Sequence, residues 1–148
     1  MTTGQAGYSG RPLAQKLGIK QGHKLLLVGA PANWHVPDLP DDVEIRRRPG
    51  ALRAGDVRAD IMIAFYGSAA QFAETGPGLV QQLGANASLW VAWPRRAGGH
   101  ESDMTDQLLR DVLLPIGVVD VKVAALDQDW SGLKFMWRRE NREGLARA

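Results

Sequence analysis

The chain has 148 residues, of which 45% are apolar and 23% are charged, and its formal net charge is +2. This length and composition are typical of one globular domain that buries about two-thirds of its unfolded surface. The sequence contains no cysteine, which excludes disulfides, thiolate metal sites and a cysteine nucleophile, and which is typical of a reducing compartment.

The termini predict the limits of the domain. Residues 1–10 are polar and glycine-rich, without the apolar core of a signal peptide, and no apolar run approaches the roughly 18 residues of a membrane span. We therefore expect a cytoplasmic protein with a flexible segment at 1–10, a single domain at 11–142 and a flexible tail at 143–148.

The first half of the domain predicts a short helix and three strands. Pro12–Leu17 has apolar residues on one side and ends at Gly18, as a short helix does. His23–Val28 and Asp60–Tyr66 contain unbroken apolar runs, which are typical of strands buried in a parallel sheet. Between them, Val43–Arg46 alternates apolar and polar residues and predicts a half-exposed strand.

The next segment predicts an interrupted helix and a further buried strand. A helix begins at Ala69, and Gly76-Pro77-Gly78 is expected to break it before a second piece that ends at Gly84. Ser88–Trp93 repeats the buried-strand pattern.

The last third predicts one amphipathic helix and a hairpin. Ser102 or Asp103 is expected to cap a helix that continues to Pro115. Val118–Leu126 and Gly132–Arg138 are joined by a connection too short for a crossover, so they must pair antiparallel. After Arg139 the polar composition predicts fraying.

Strands that alternate with helical stretches, followed by a hairpin, predict the fold class. We expect a single-domain, Rossmann-like α/β fold whose mostly parallel sheet ends in a C-terminal antiparallel hairpin. Ligands of such sheets bind outside the carboxyl ends of the strands. The loops expected at this edge are Gly29–Trp34, Tyr66–Ser68, Trp93–Arg96 and Asp127–Ser131.

These loops supply the candidate ligand-binding residues, which are polar, cationic or aromatic and suit an anionic or heterocyclic small molecule. They are Asn33, Trp34, Ser68, Arg95, Arg96, Asp129, Trp130 and Ser131. We expect the two arginines to contact an anionic group, the two tryptophans to stack, close the site or form a subunit contact, and Asp129 and Ser131 to orient polar atoms. Asp127 and Asp129 could also serve as a general base, although aspartates in a strand connection are usually turn residues.

Several other activities find little support in the sequence. The phosphate-binding patterns G-x-G-x-x-G and G-x-x-x-x-G-K-[ST] are absent, as is the serine-hydrolase pattern G-x-S-x-G. The three histidines are scattered, so no metal site is predicted; His100 alone, beside the two arginines, is a site candidate. Basic and acidic residues nearly balance, so a nucleic acid is not expected as a partner, and no motif in the sequence identifies a cofactor.

Two families resemble this sequence. Leu17-Gly18-Ile19-Lys20-Gln21-Gly22-His23-Lys24-Leu25-Leu26-Leu27-Val28-Gly29 resembles the entry to the first strand of class I methyltransferases, which bind S-adenosylmethionine. That class has a glycine-rich loop after its first strand and an acidic residue at the end of its second. This chain has Ala30-Pro31-Ala32 and Arg46-Arg47-Arg48 there.

The second resemblance covers Gly7 to Arg142 and is to the bacterial family called domain of unknown function 3052. The matching segments include Gly29-Ala30-Pro31, Leu89-Trp90-Val91-Ala92-Trp93-Pro94 and Trp130-Ser131-Gly132-Leu133-Lys134. This resemblance implies a small bacterial cytosolic protein and supplies no mechanism.

Three functional hypotheses follow from the sequence. The first is a reduced methyltransferase-like domain that binds a small ligand without catalysis. The second is an active transferase that uses an adenosyl-type cofactor, and the third is a homo-oligomeric interaction module with tryptophan-rich loops.

Overall fold

The computed structural model describes residues 11–50 and 58–146, so the predicted N-terminal segment 1–10 lies outside the described residues. In these ranges the elements are α1 (Leu13–Leu17), β1 (Lys24–Val28), β2 (Glu44–Arg48), β3 (Ile61–Phe65), α2 (Ala69–Gln81), β4 (Ser88–Pro94), α3 (Asp106–Leu113), β5 (Val118–Ala125), β6 (Trp130–Trp137) and α4 (Arg139–Ala146). None of these helices is long and apolar enough to cross a membrane.

The strands form one sheet in the order β2-β1-β3-β4-β6-β5. The first four strands of that order are parallel, and β6 is antiparallel to both β4 and β5. The predicted α/β class, the mostly parallel sheet and the terminal hairpin are therefore confirmed. Because β6 runs backwards, its first residue, Trp130, lies beside Pro94 at the carboxyl edge of the parallel strands.

The core lies on both faces of the sheet, because β1, β3 and β4 alternate their apolar side chains between the two sides. On one face, α2 and α3 pack over Leu26, Met62 and Leu89. On the other face, α1 and the segment around Trp34 pack over Leu25 and Ile63. Burial of these three strands on both faces explains their unbroken apolar sequences.

The edge strand β2 is different, because it is exposed along most of its length. Residues 29–43, which connect β1 to β2, contain turns and no helix. Parallel strands are usually covered on both faces by crossover helices. The exposed fraction of 46% for Ile45 follows from the missing helix.

The prediction of a break at Gly76-Pro77-Gly78 was wrong, because α2 is continuous from Ala69 to Gln81. Pro77 cannot donate to the carbonyl of Ala73, but Ala73 is exposed, so water can satisfy that carbonyl. The turn is fixed from inside by the fully buried Phe72, whose ring packs directly against Gly76. Packing of the apolar face therefore outweighs the local preference of the Gly-Pro-Gly segment.

The start of α3 also differs from the prediction. Thr105 is the N-cap and accepts a hydrogen bond from the amide of Leu108 at 3.1 Å. Ser102 and Asp103 instead bind the loop after β3. The Ser102 hydroxyl donates to the carbonyl of Gly67 at 3.2 Å, and the Asp103 carboxylate accepts from the amide of Ala69 at 2.8 Å. Asp103 thus caps α2, which is distant in sequence and close in space.

The chain after Arg139, where the polar sequence predicts fraying, is helical to Ala146. Asn141 donates through Nδ2 to the carbonyl of Gly117 at 3.0 Å, and Arg142 donates through Nε to the carbonyl of Trp137 at 2.9 Å. These bonds attach α4 to the amino edge of the sheet. The domain boundary expected at residue 142 therefore falls inside α4.

The two glycines that flank Pro77 give a matched test of this packing. A Cβ at position 76 would lie 2.7 Å from the Phe72 ring, whereas a Cβ at position 78 would meet nothing within 4 Å. Gly76→Ala should lower the free energy of unfolding by about 1–3 kcal/mol through overpacking, and Gly78→Ala should raise it by about 0.5–1 kcal/mol. Urea unfolding followed by circular dichroism measures both; equal effects would contradict the assigned packing.

Candidate functional site

The strand order places a crevice between β1 and β3. The chain leaves β1 for β2 on one side and then returns to β3 on the other, so the loops after β1 and β3 diverge. Such a switch point at the carboxyl edge is where α/β sheets bind ligands. A cavity of about 250 Å³ lies there, which we call the β1/β3 cavity. It is lined by Val28, Gly29, Pro49, Gly50, Phe65, Tyr66, Gly67, Gln71, Thr75 and Trp130.

Two glycines bring the backbone to the wall of this cavity. Gly29 has a φ of +68°, and a Cβ there would lie 3.3 Å from the carbonyl oxygen of Phe65. A side chain at Gly29 would therefore be both strained and crowded. At Gly67 a Cβ would meet nothing within 4 Å, so this position opens onto free space.

The polar groups of the cavity wall are uncharged. The Thr75 hydroxyl donates to the carbonyl of Gln71 at 3.1 Å, which leaves the Tyr66 hydroxyl to donate to Thr75 Oγ1 at 2.7 Å. Burial raises the pKa of Tyr66, and the hydrogen bond with Thr75 partly opposes that shift. Tyr66 is therefore a neutral phenol at neutral pH.

Three aromatic rings pack edge to face beside the cavity. The ring centroids of Trp34 and Phe65 are 4.8 Å apart, and those of Phe65 and Trp130 are 5.0 Å apart, both in edge-to-face geometry. Trp34 is buried, whereas Trp130 is half-buried and contributes to the cavity wall. Of the two tryptophans predicted at the site, Trp130 therefore faces the space that a ligand could occupy.

The carboxylate of Asp127 joins these three rings to the hairpin tip. Its Oδ2 accepts from Nε1 of Trp34 at 2.9 Å. Its Oδ1 accepts from the amides of Asp129 at 2.7 Å and Trp130 at 2.8 Å. With three donors already bound, Asp127 is a turn residue that also anchors Trp34, and it is poorly placed to act as a general base.

Arg95 and His100 hold the other side of the hairpin tip. The Arg95 guanidinium donates to the carbonyl of Asp127 at 3.1 Å, and His100 Nε2 lies 2.9 Å from Oδ1 of Asp129. His100 and Arg96 line a separate, open cleft next to the hairpin tip. These residues lie close to one another, beside the β1/β3 cavity and outside the wall that the described residues form.

The remaining predicted residues lie outside the cavity wall. Asn33 is exposed in the loop after β1. Ser68 is the N-cap of α2 and accepts from the amide of Gln71 at 3.3 Å. Ser131 is half-buried on β6, in register with Trp93.

Trp130 is thus the one predicted binding residue in the cavity wall described here. Tyr66, Gln71 and Thr75 also line the cavity but were not among the predicted binding residues. Tyr66 was placed in an edge loop by the sequence without being selected as a ligand contact. Gln71 and Thr75 face the cavity from the first two turns of α2, where the sequence carries no signal for them.

Comparisons with known proteins place the chain by fold. Neither a protein-family model nor a curated protein sequence matches it. Among solved structures, it is similar to a SAM-dependent methyltransferase from Aquifex aeolicus, with a TM-score of 0.55, 15% identity and coverage of 85% of this chain and 88% of the other.

Two further solved structures are similar in fold to this chain. The Methanococcus jannaschii fibrillarin pre-rRNA processing protein has a TM-score of 0.53 and 15% identity, over 86% of this chain and 69% of the other. The CcbJ methyltransferase from Streptomyces caelestis has a TM-score of 0.54 and 8% identity, over 84% and 86%. The fold is therefore Rossmann-like and methyltransferase-like, as the sequence predicted; similarity at this level of identity carries the fold alone.

The role of Asp127 can be tested against its neighbour Asp129. Asp127→Ala would leave three donors without their acceptor, so the free energy of unfolding should fall by about 2–3 kcal/mol. Asp129→Ala removes one exposed hydrogen bond with His100 and should change the free energy of unfolding by less than about 0.5 kcal/mol. Chemical unfolding of the two variants checks this contrast. A larger loss for Asp129→Ala would show that the anchor has been misassigned.

The raised pKa of Tyr66 predicts a pH dependence of stability. Above pH 10.0, the ordinary pKa of a tyrosine, the unfolded chain releases the phenolic proton while the folded chain retains it. The stabilisation is therefore complete below that pH and is lost as the pH rises through the folded pKa. The stability advantage of wild type over Tyr66→Phe should therefore be smaller at about pH 11 than at about pH 8. Urea unfolding at both pH values measures it; a constant difference would refute a raised pKa.

Proposed function

We propose that this protein is a reduced methyltransferase-like domain that binds a small planar heterocycle in the β1/β3 cavity without catalysing methyl transfer. The observation that carries the proposal is the position of the cavity, at the switch point where the carboxyl ends of β1 and β3 diverge. We also propose kinship with the bacterial family of domain of unknown function 3052 and a cytoplasmic location.

The chemistry of the cavity wall supports binding better than catalysis. Phe65, Tyr66 and Trp130 offer aromatic surface to a flat ring, and the hydroxyls of Tyr66 and Thr75 can orient its polar atoms. The wall residues in the described ranges include no carboxylate, imidazole or amine. The described wall residues therefore supply no group that exchanges a proton near neutral pH.

S-Adenosylmethionine, the cofactor that the fold implies, does not fit these residues. Dinucleotide-binding sites of related topology hold the ribose hydroxyls with a carboxylate after the second strand, but β2 ends in Arg46-Arg47-Arg48. Arg47 is used to hold the loop after β1, through the carbonyls of Pro31 and Trp34. The carboxylate that would hold the ribose is thus replaced by arginine in this chain, so we derive no methyl-transfer step.

The size of the cavity favours a small ligand. Its volume of about 250 Å³ is below the roughly 300–1,000 Å³ of typical drug-sized ligand pockets. A heterocyclic base or nucleoside suits this space better than a complete adenosyl cofactor. Arg96, exposed in the neighbouring cleft, is the residue that we propose for contact with an anionic substituent.

The two alternative functions predicted from the sequence require different features of the structure. An active transferase, favoured by the fold likeness, needs a base, and Asp127 already accepts three hydrogen bonds. A homo-oligomeric module needs exposed tryptophan loops, whereas Trp34 and Trp130 pack inside the chain against Phe65. Binding of a ligand in the cavity requires neither a free base nor exposed tryptophan loops.

Blocking the cavity provides the test. Gly67→Leu adds a side chain at a wall position where a Cβ meets nothing within 4 Å, and Gly144→Leu is a matched control in α4 with equally open surroundings. Thermal unfolding is followed with adenosine, adenosine monophosphate, S-adenosylhomocysteine and S-adenosylmethionine. A ligand at 100 times its Kd stabilises the folded state by about 2.7 kcal/mol.

We expect adenosine or its monophosphate to stabilise wild type and Gly144→Leu, and to leave Gly67→Leu unchanged. Strong stabilisation by S-adenosylmethionine would favour the active transferase instead. Absence of stabilisation by every adenosine compound, or an equal response of Gly67→Leu and wild type, would refute the proposed adenosine-binding role of the cavity.

A further inference from the structure

Three lysines converge on the face of the sheet that carries α1, far along the strand order from the β1/β3 cavity. Lys122 on β5 and Lys134 on β6 are direct partners in the antiparallel register. Partner side chains in such a pair have Cβ atoms about 5 Å apart, and like charges placed there are destabilising. Lys20, in the turn after α1, lies near enough for its charge to act on Lys134, and we call these three residues the lysine cluster.

The surroundings of the cluster fix two of its ammonium groups. Nζ of Lys122 lies 5.8 Å from the centroid of the Trp90 ring, and Lys134 is in register with Trp90 from the neighbouring strand. A Cβ on Gly18, which ends α1, would be 3.7 Å from Nζ of Lys134. Lys134 is half-buried, so its ammonium is held in the angle between α1 and the sheet.

No carboxylate neutralises this charge in the described part of the chain. The ion pairs recorded there are made by Arg46, His100 and Arg110, and none includes a member of the lysine cluster. Burial, together with the charges of Lys122 and Lys20, lowers the pKa of Lys134. The face is therefore a region of concentrated positive potential within a chain of near-balanced charge.

Contacts within the protein explain only part of why these lysines are held close together. The cation–π contact of Lys122 is weakly stabilising at an exposed site, and the close pairing of Lys122 with Lys134 opposes it. An anion placed among the three ammonium groups would convert that repulsion into attraction. Lysine is a compact point charge with rotatable donors, which suits the tetrahedral oxygens of phosphate.

We propose that the lysine cluster binds a phosphate group of a multivalent phosphate ligand. The proposal is independent of the function assigned to the β1/β3 cavity. A small polyphosphate and a nucleic-acid backbone present the same chemistry, so the experiment uses one probe of each kind, namely tripolyphosphate and a labelled oligouridylate.

The variants remove charge and retain the aliphatic stem. Lys122→Met and Lys134→Met, singly and together, are compared with Lys24→Met, which alters an exposed lysine at the start of β1 outside the cluster. Lys122→Arg keeps the charge. Unfolding of each ligand-free variant is measured first, and Kd is then measured by calorimetry for tripolyphosphate and by fluorescence anisotropy for the oligonucleotide, at matched ionic strength.

We expect the ligand-free double variant to be as stable as wild type or more stable, since it loses a repulsion. Its Kd should rise by about tenfold or more, whereas Lys24→Met and Lys122→Arg should bind like wild type. Binding of tripolyphosphate would identify a small polyphosphate as the source of the group, and binding of the oligonucleotide alone would identify a nucleic-acid backbone. The proposal is overturned if neither probe binds wild type, if the double variant binds equally well, or if Lys24→Met weakens binding as much.

Should the double variant fail to fold, Lys20→Met tests the same site from an exposed turn position. It should weaken binding severalfold without loss of stability. Unchanged binding in that variant would also contradict the proposal. Loss of adenosine binding in Gly67→Leu does not bear on this outcome, so the two proposals fail separately.

Discussion

The carboxyl edge of the sheet depends on the carboxylate of Asp127. This side chain ties two segments that are 93 residues apart, because it binds the amides of the hairpin tip with one oxygen and the indole of Trp34 with the other. Trp34 then supports Phe65, and Phe65 supports Trp130. The side wall of the β1/β3 cavity is therefore set by hydrogen bonds that link the loop after β1 to the far end of the sheet.

The range of the contacts that fix each element explains which parts of the fold the sequence predicts. The central strands follow from their apolar runs, since burial on both faces requires apolar residues at every position. The hairpin follows from the shortness of its connection. The break expected in α2 does not occur because the fully buried Phe72 fixes the helix in the core. The cap expected for α3 was wrong because Asp103 binds the amide of Ala69, which is distant in sequence.

The candidate site was harder to predict than the fold. Strand ends identify the edge at which a ligand could bind, and Trp130, predicted at that edge, lines the cavity. Whether a polar side chain faces the cavity or holds a loop depends on its partner, which is distant in sequence. Arg95 illustrates this, because its guanidinium binds the carbonyl of Asp127, 32 residues away, and so supports the hairpin tip from outside the cavity.

The loop at residues 29–43, which contains no helix, is linked to the chemistry at the end of β2. Without a crossover helix, β2 is exposed and its carboxyl end presents arginines. Arg47 compensates in part, because it holds the loop after β1 in place of helix packing. A carboxylate at the same position could not donate to those carbonyls and would be destabilising beside them. The arginines at the end of β2 thus also occupy the place of the carboxylate that holds ribose hydroxyls in dinucleotide-binding sites of related topology, which supports the proposed smaller ligand.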